Sequence, residues 1–372
     1  GVRLVGSEMC IRDSFLIKGT GKHLYRFSNA DNKTWLMPAH NMQVAMNLYQ
    51  PSARNGKMVK MLFPWLHRLP FVPKVIHARS VYYDINDELK RLFYQLFHEA
   101  EIDFSIFCGT PCVHQKITMQ ISKDKRILGY CKVTDSKNIA TLFKSEAHIL
   151  KELGRKGLKE TPVCMFCGET KDGIKLFVQS TVKTRNSQVV HKWTALHEDF
   201  LDRLYKSTHQ LIAFEQSDYY RTLTDLQLHI EWLPQEADAT LVTAAINRIL
   251  LQHEKQKVDF SVYHADFTPW NMFMENRQLF VFDWEYAQLT YPPKLDKYHF
   301  FTQTAYFEKH WNVSQIIEYI NSENGKWIDR EMYSLYLLEI ISRFTIREKG
   351  NISREMAESF RIWIALLKYL QE

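Results

Sequence analysis

Residues 263–271 have the sequence YHADFTPWN, and residues 282–285 follow with FDWE. Asp266 therefore stands five residues before Asn271, and Asp283 stands a further twelve residues along the chain. A carboxylate can receive a hydroxyl proton, while an amide oxygen and a second carboxylate are the hard oxygen ligands that Mg²⁺ prefers. Phosphoryl transfer from ATP requires this set of groups. We take Asp266 as the candidate base and Asn271 and Asp283 as the candidate Mg²⁺ ligands.

A structural interpretation of the same residues is a turn at a strand end for His264 and Asp266 and a helix cap for Asp283. An isolated H-x-D pair would favour that interpretation. The full pattern H-x-D-x₄-N-x₁₁-D, with an apolar strand predicted at residues 280–282, favours the phosphoryl-transfer site instead.

Size and composition limit the class of protein. The 372 residues suffice for two or three domains, and 45% of them are hydrophobic while 24% are charged. The net charge of +6 suits phosphate-bearing substrates but does not indicate nucleic-acid binding. The six cysteines in so long a chain predict reduced thiols and a cytoplasmic protein. Composition does not indicate an oligomeric state.

No apolar run is long enough to predict a transmembrane segment. Residues 58–76 come closest, but charged residues and three prolines interrupt them. Peripheral contact with a membrane surface is one interpretation of this stretch. We favour a buried hairpin or a segment that faces a partner.

The chain divides into four predicted parts. Residues 1–14 are interpreted as non-native, because residues 8–14 resemble an adapter sequence from library preparation and no initial methionine is present. Residues 15–100 form an accessory segment with two short strands, a glycine turn at residues 19–21 between them, and a helix at residues 84–100. Residues 101–182 alternate like β-strands around one helix, and residues 183–372 are mainly helical. The pattern predicts an α+β fold.

The motif at residues 264–271, with the D-W-E sequence after it, resembles the aminoglycoside phosphotransferase and choline kinase branch of the protein-kinase-like superfamily. Residues 100–372 carry the resemblance. It implies a bilobal fold, with a small antiparallel β N-lobe and a mainly helical C-lobe. It also implies ATP, Mg²⁺ and a small-molecule hydroxyl acceptor, with Asp266 as catalytic base and Asn271 and Asp283 as metal ligands.

The β-rich part offers the nucleotide-binding positions that such a fold implies. Lys132 lies in a predicted strand and Glu146 in the following helix, the order expected of a phosphate-orienting pair. Gly109 and Thr110 occupy the expected phosphate loop, which has one glycine where kinases have three. Val178 and Ser180 fall where the interlobe hinge would bind adenine through its backbone.

Three functions are compatible with these residues. The leading hypothesis is a small-molecule kinase that phosphorylates a sugar, aminoglycoside, amino-alcohol or glycan hydroxyl. The alternative is a catalytically weak or inactive kinase-like protein of a polysaccharide or envelope gene cluster, which the sparse glycine loop favours. A two-metal phosphoesterase ranks last, because it gives Lys132 and Glu146 no role.

Overall fold

The computed structural model describes residues 15–29, 31–51, 54–109 and 116–372. Its contacts divide the chain into two compact units. Unit 1 contains the described residues up to Gly154 together with Lys159–Gln188 and Phe273–Phe280. Unit 2 contains Arg155–Leu158, Val189–Met272 and Val281–Glu372. Residues 1–14, which the sequence analysis interprets as non-native, lie outside the described part of the chain.

An antiparallel sheet of eight strands forms unit 1, in the order β3-β1-β2-β4-β5-β6-β8-β7. Its strands are β1 (Leu16–Ser28), β2 (Thr34–Pro38), β3 (Arg79–Ile85), β4 (Asp103–Phe107), β5 (Ile117–Lys123), β6 (Arg126–Thr134), β7 (Cys164–Glu169) and β8 (Lys175–Ser180). Its helices are α1 (Met42–Ala45), α2 (Arg54–Leu66), α3 (Val72–Val75), α4 (Asp87–Phe97) and α5 (Lys137–Arg155). The last residue of α5, Arg155, belongs to unit 2. Strands from the predicted accessory segment and from residues 101–182 thus share one sheet, so the sheet continues across the proposed boundary at residue 100.

The first strand differs from its prediction. The expected glycine turn at residues 19–21 lies inside β1, as a register shift between Lys18 and Lys22 in the pairing with β3. Gly21 has a φ of +87°, and a Cβ there would lie 2.5 Å from the Cβ of Asp84. Only glycine fits this close approach, so the residue that suggested a turn instead forms a β-bulge.

Helices make up most of unit 2. They are α6 (Ala195–Thr208), α7 (Asp218–Leu228), α8 (Glu236–His253), α9 (Leu295–Gln303), α10 (Val313–Asn321), α11 (Arg330–Glu348) and α12 (Arg354–Gln371). A three-stranded sheet in the order β13-β10-β9 joins β9 (Gln210–Ala213), β10 (Lys257–Tyr263) and β13 (Gln288–Tyr291). The helix expected at residues 201–214 ends at Thr208, because Gln210–Ala213 pairs with β10.

A short hairpin of β11 (Met272–Glu275) and β12 (Gln278–Val281) follows the motif. Asn276 and Arg277 at its tip both have positive φ, as a two-residue turn that matches the strand twist requires. The structure confirms the predicted α+β class, with an antiparallel sheet and a mainly helical C-terminal part. Within the described ranges, none of the helices has both the length and the apolar character needed to cross a membrane.

Candidate active site

The loop after β10 buries almost all of its residues. In residues 261–269, all of which the structure describes, Asp266 is the one residue that is not buried. Its side chain is 31% exposed, whereas His264, Ala265 and Phe267 are fully buried. The packing thus fixes the backbone of the loop while leaving one carboxylate open to solutes.

Asn271 holds the carboxylate in place. Its Nδ2 donates to Asp266 Oδ2 at 2.7 Å and to the carbonyl oxygen of Asp266 at 3.0 Å. The 3-10 turn at Pro269–Asn271, which begins with a proline that presets φ, brings the amide back towards Asp266. Because both amide hydrogens face Asp266, the amide oxygen remains as the atom of Asn271 that can face a cation.

His264 positions the loop as a neutral side chain. Its Nε2 donates to the carbonyl oxygen of Phe282 at 3.0 Å, and its Nδ1 accepts the N–H of Asp266 at 3.1 Å. Burial lowers the pKa of His264 to about 4, which keeps the imidazole neutral at neutral pH, and the two hydrogen bonds fix its tautomer. The buried ring of Trp284 packs on the imidazole with centroids 4.4 Å apart. We therefore assign Trp284 to packing on His264.

Asp296 on α9 fixes the backbone before Asp266. Its carboxylate accepts the N–H of His264 at 2.9 Å and the N–H of Ala265 at 3.1 Å. Ala265 has a φ of +70°, a conformation that a residue with a Cβ seldom adopts without support. Burial raises the pKa of Asp296 to about 7, although the two N–H donors act in the opposite direction. A costly buried carboxylate thus supports the strained residue next to Asp266.

His299 lies three residues after Asp296, on the same face of α9. Its Nε2 is 3.3 Å from Asp266 Oδ1, and its Nδ1 is 3.3 Å from the hydroxyl of Tyr336. Burial lowers the pKa of His299. In the neutral form Tyr336 donates to Nδ1 and Nε2 donates to Asp266, so both oxygens of the carboxylate accept a hydrogen bond.

Arg343 on α11 supplies the positive charge of this region. Its Nη1 donates to the carbonyl oxygen of Ala265 at 2.7 Å, and its Nε lies 3.0 Å from Glu339 Oε1. The hydroxyl of Tyr263 donates to the other oxygen of Glu339 at 2.8 Å. Burial would raise the pKa of Asp266, but His299, Arg343 and His264 together hold that pKa below its usual value. Asp266 is therefore ionised at neutral pH.

Asp283 belongs to the same unit. The N–H of Phe282 donates to the carbonyl oxygen of Asn271 at 3.0 Å, which joins the two parts of the motif directly before Asp283. Asp283 is partly exposed and has a φ of +68°. The donor set of one amide oxygen and one accessible carboxylate fits Mg²⁺, which accepts few protein ligands and keeps several waters.

In unit 1, Lys132 and Glu146 form a buried ion pair. Nζ of Lys132 lies 2.6 Å from Glu146 Oε2, and the two side chains are 6% and 0% exposed. Lys132 is on β6, opposite Phe177 of β8, and Glu146 is on the buried face of α5. The strand lysine and helix glutamate that the sequence placed fourteen residues apart are thus in direct contact.

The other predicted nucleotide-binding positions also lie in unit 1. Gly109 has a φ of +80°, and Thr110 lies outside the described residues. Val178 is buried in β8, between β6 and β7. The N–H of Ser180 donates to the carbonyl oxygen of Val163 at 2.9 Å, so this N–H is already occupied. Adenine binding by the backbone at residues 178–180 stays a prediction.

Sequence reasoning missed Asp296, His299, Glu339 and Arg343. Each pair has a signal in hindsight, since Asp296 and His299 are three apart on an apolar helix and Glu339 and Arg343 are four apart on another. Such a titratable pair on a buried helix face must find a polar partner. The signal does not say that the partner is the loop at Asp266.

No family model matches this chain, and no curated protein matches its sequence. Among solved structures, a thermostable mutant of the aminoglycoside phosphotransferase APH(4)-Ia with ADP and hygromycin B is similar at 11% identity and a TM-score of 0.49, over 76% of this chain and 98% of that one. A putative fructosamine-3-kinase from Haemophilus somnus 129PT has 10% identity and a TM-score of 0.48, over 76% and 97%. The gentamicin complex of APH(2")-IIa has 14% identity and a TM-score of 0.46, over 76% and 99%. Similarities at this level assign no function to the chain.

Proposed function

We propose that this chain is an ATP- and Mg²⁺-dependent phosphotransferase that acts on a hydroxyl group of a small molecule. The observation that carries the proposal is the state of Asp266. It is an ionised carboxylate, held through both oxygens, and it is the accessible residue of an otherwise buried loop. Such a group suits the orientation of a hydroxyl and the acceptance of its proton.

In the proposed reaction, the acceptor hydroxyl donates a hydrogen bond to Asp266 and its oxygen attacks the γ-phosphorus of ATP. The new oxygen–phosphorus bond forms as the bond from the γ-phosphorus to the β–γ bridging oxygen breaks, and ADP leaves. The hydroxyl proton passes to Asp266 and then to solvent. Asn271 and His299 hold the carboxylate in one orientation throughout, so little reorganisation is needed during transfer.

The metal would be held by Asn271 through its amide oxygen and by Asp283. When bound, Mg²⁺ would neutralise negative charge on the phosphate oxygens. Lys132 would contact the α- and β-phosphates, with Glu146 keeping its ammonium group in position. The acceptor class comprises sugars, aminoglycosides, amino-alcohols and glycans.

The test is ADP formation by the purified chain with Mg²⁺ and ATP against a panel of these acceptors. We expect Asp266→Ala to lower kcat by roughly 10²–10⁴-fold, the usual contribution of a general base. Asp225→Ala, which removes an exposed carboxylate of the same unit, is the matched control and should retain full activity. Equal turnover by Asp266→Ala and the control would refute the role of Asp266. Mg²⁺-dependent ATP binding without turnover on any acceptor would favour the inactive, kinase-like alternative.

A further inference from the structure

Helix α2 and the short helix α3 present apolar side chains to solvent. Trp65 is 71% exposed and Phe71 is 62% exposed. Six more apolar residues of this segment are exposed: Met58, Met61, Leu62, Leu66, Leu69 and Val75. We call these eight side chains the apolar face of residues 54–76. The segment is therefore not the buried hairpin that the sequence favoured.

The apolar face is separate from the side of α2 that packs on the protein. Phe63 is 2% exposed and belongs to a core cluster with Phe27, Trp35 and Met37. After the helix, Nε2 of His67 lies 2.9 Å from the carbonyl oxygen of Ala39 and attaches the end of α2 to the fold. The core side of α2 is thus complete, and the exposed apolar residues lie on another side.

The exposed apolar residues of α2 form one stripe. Met58, Met61, Leu62 and Trp65 lie at positions i, i+3, i+4 and i+7, which places them on one face of the helix. A helix that is apolar on its core side and also on its outer side requires a second apolar environment. An exposed patch of this kind marks an interaction site.

The charged residues in the sequence around the apolar face are all positive. Residues 32–83 contain no aspartate or glutamate, although the chain has 42 of them in 372 residues. Arg54, Lys57, Arg68 and Lys74 are exposed within or beside the two helices. An apolar stripe with cationic flanks complements a surface that is anionic on the outside and apolar below.

We propose that residues 54–76 dock the protein on the surface of an anionic phospholipid bilayer. Trp65 and Phe71 enter the headgroup region, and Lys57, Arg68 and Lys74 contact lipid phosphates. The helix lies in the plane of the interface, because its thirteen residues extend only about 20 Å and no described helix qualifies as a membrane span. A protein partner is less suited, because lysine is depleted in protein–protein interfaces relative to the rest of the surface, whereas Lys57 and Lys74 flank this face.

The test is co-sedimentation of the full chain with vesicles of phosphatidylcholine alone or mixed with phosphatidylglycerol. We expect binding to the mixed vesicles and little binding to the neutral ones, with the bound fraction falling as salt is added. Trp65→Ser with Phe71→Ser should lower the affinity for mixed vesicles by about tenfold or more. Lys57→Glu with Arg68→Glu should lower it by roughly tenfold as well.

The matched control is Leu228→Ser with Leu251→Ser, which removes two side chains of similar exposure, 72% and 74%, from other helices. This control should bind vesicles like the wild type, and all variants should unfold at the wild-type temperature because the altered side chains are exposed. Equal binding of neutral and anionic vesicles, or unchanged binding by Trp65→Ser with Phe71→Ser, would overturn the proposal. So would wild-type self-association that is lost in that variant while no vesicle binding is detected, because the face would then bind a second copy.

Discussion

The Lys132–Glu146 pair and the group around Asp266 are both buried and polar, but they are built differently. The pair consists of one strand residue and one helix residue that satisfy each other at 2.6 Å. The Asp266 group joins a loop to α9 and α11 through hydrogen bonds that span up to 78 residues of sequence. One arrangement joins two residues that are fourteen positions apart in the sequence, and the other joins segments from distant parts of unit 2.

The two arrangements also differ in charge. Lys132 and Glu146 balance each other, whereas the Asp266 group contains the carboxyl groups of Asp266, Asp296 and Glu339 against the single guanidinium of Arg343. His264 and His299 do not restore the balance, because burial lowers the pKa of both. Burial raises the pKa of Asp296 and of Glu339, so negative charge on these two carboxyl groups costs stability.

The largest predicted effect concerns the Lys132–Glu146 pair. Glu146→Leu or Lys132→Met alone removes one ion-pair partner of the other buried charge and should lower the free energy of unfolding by about 3–5 kcal/mol. Lys132→Met with Glu146→Leu removes both charges and should restore most of that loss while leaving the enzyme inactive. Urea unfolding of the three variants closes the double-mutant cycle. Additive losses in the double variant would show that the two side chains are not coupled.

The same contrast explains what the sequence could predict. Lys132 and Glu146 lie in regular elements, a strand and a helix, so their order along the chain was sufficient to pair them. Asp266, Asn271 and Asp283 share one short stretch, and their spacing alone suggested a common role. Asp296, His299 and Arg343 contact the loop from distant helices, and no local pattern specifies which loop a buried carboxylate or guanidinium will meet.

The prediction of secondary structure from the sequence was wrong where strand pairing between distant segments overrode the local preference. The helix predicted at residues 201–214 ends early because Gln210–Ala213 adds a strand to β10, a contact between segments more than forty residues apart. The glycines at positions 19 and 21 indicated a turn, but pairing with β3 holds both inside one strand. In both cases the local signal was real and a non-local hydrogen-bond ladder decided its use.

Replacing Asp296 should raise the free energy of unfolding at high pH, whereas breaking the ion pair should lower it. Its folded pKa of about 7 exceeds the usual value near 3.9, so stability is fully present below that usual value and is lost as pH rises through 7. Asp296→Asn removes this titration but can accept only one of the two N–H groups. At pH 8 the variant should be more stable than wild type by about 2 kcal/mol and should turn over more slowly.

Urea unfolding of wild type and Asp296→Asn between pH 4 and pH 8 measures the effect. The exposed Asp199, altered to Asn, is the control and should follow the wild-type profile. If the stability difference between wild type and Asp296→Asn is the same at every pH, then Asp296 does not titrate in this range. The loop would in that case be held without an electrostatic cost.

The smallest predicted effect distinguishes a positioning role for His299 from a packing role. His299 helps to keep the pKa of Asp266 low, against the effect of burial. His299→Gln weakens that contribution, so the pKa of Asp266 should rise and the acid limb of kcat should move to higher pH, by up to about one unit or about 1.4 kcal/mol. Activity at pH 8 should change little, because Asp266 remains ionised there.

The measurement is the pH profile of kcat, with the exposed His310 altered to Asn as the control for loss of a histidine. A packing role would lower kcat equally at every pH and leave the acid limb in place. A shifted limb in His299→Gln and an unmoved limb in the control would show that the hydrogen bond from α9 sets the protonation of Asp266. The hydroxyl of Tyr336 would then act on Asp266 through His299. Tyr336→Phe should therefore move the acid limb in the same direction. The shift should be smaller, because this hydroxyl lies one hydrogen bond further from the carboxylate than His299 does.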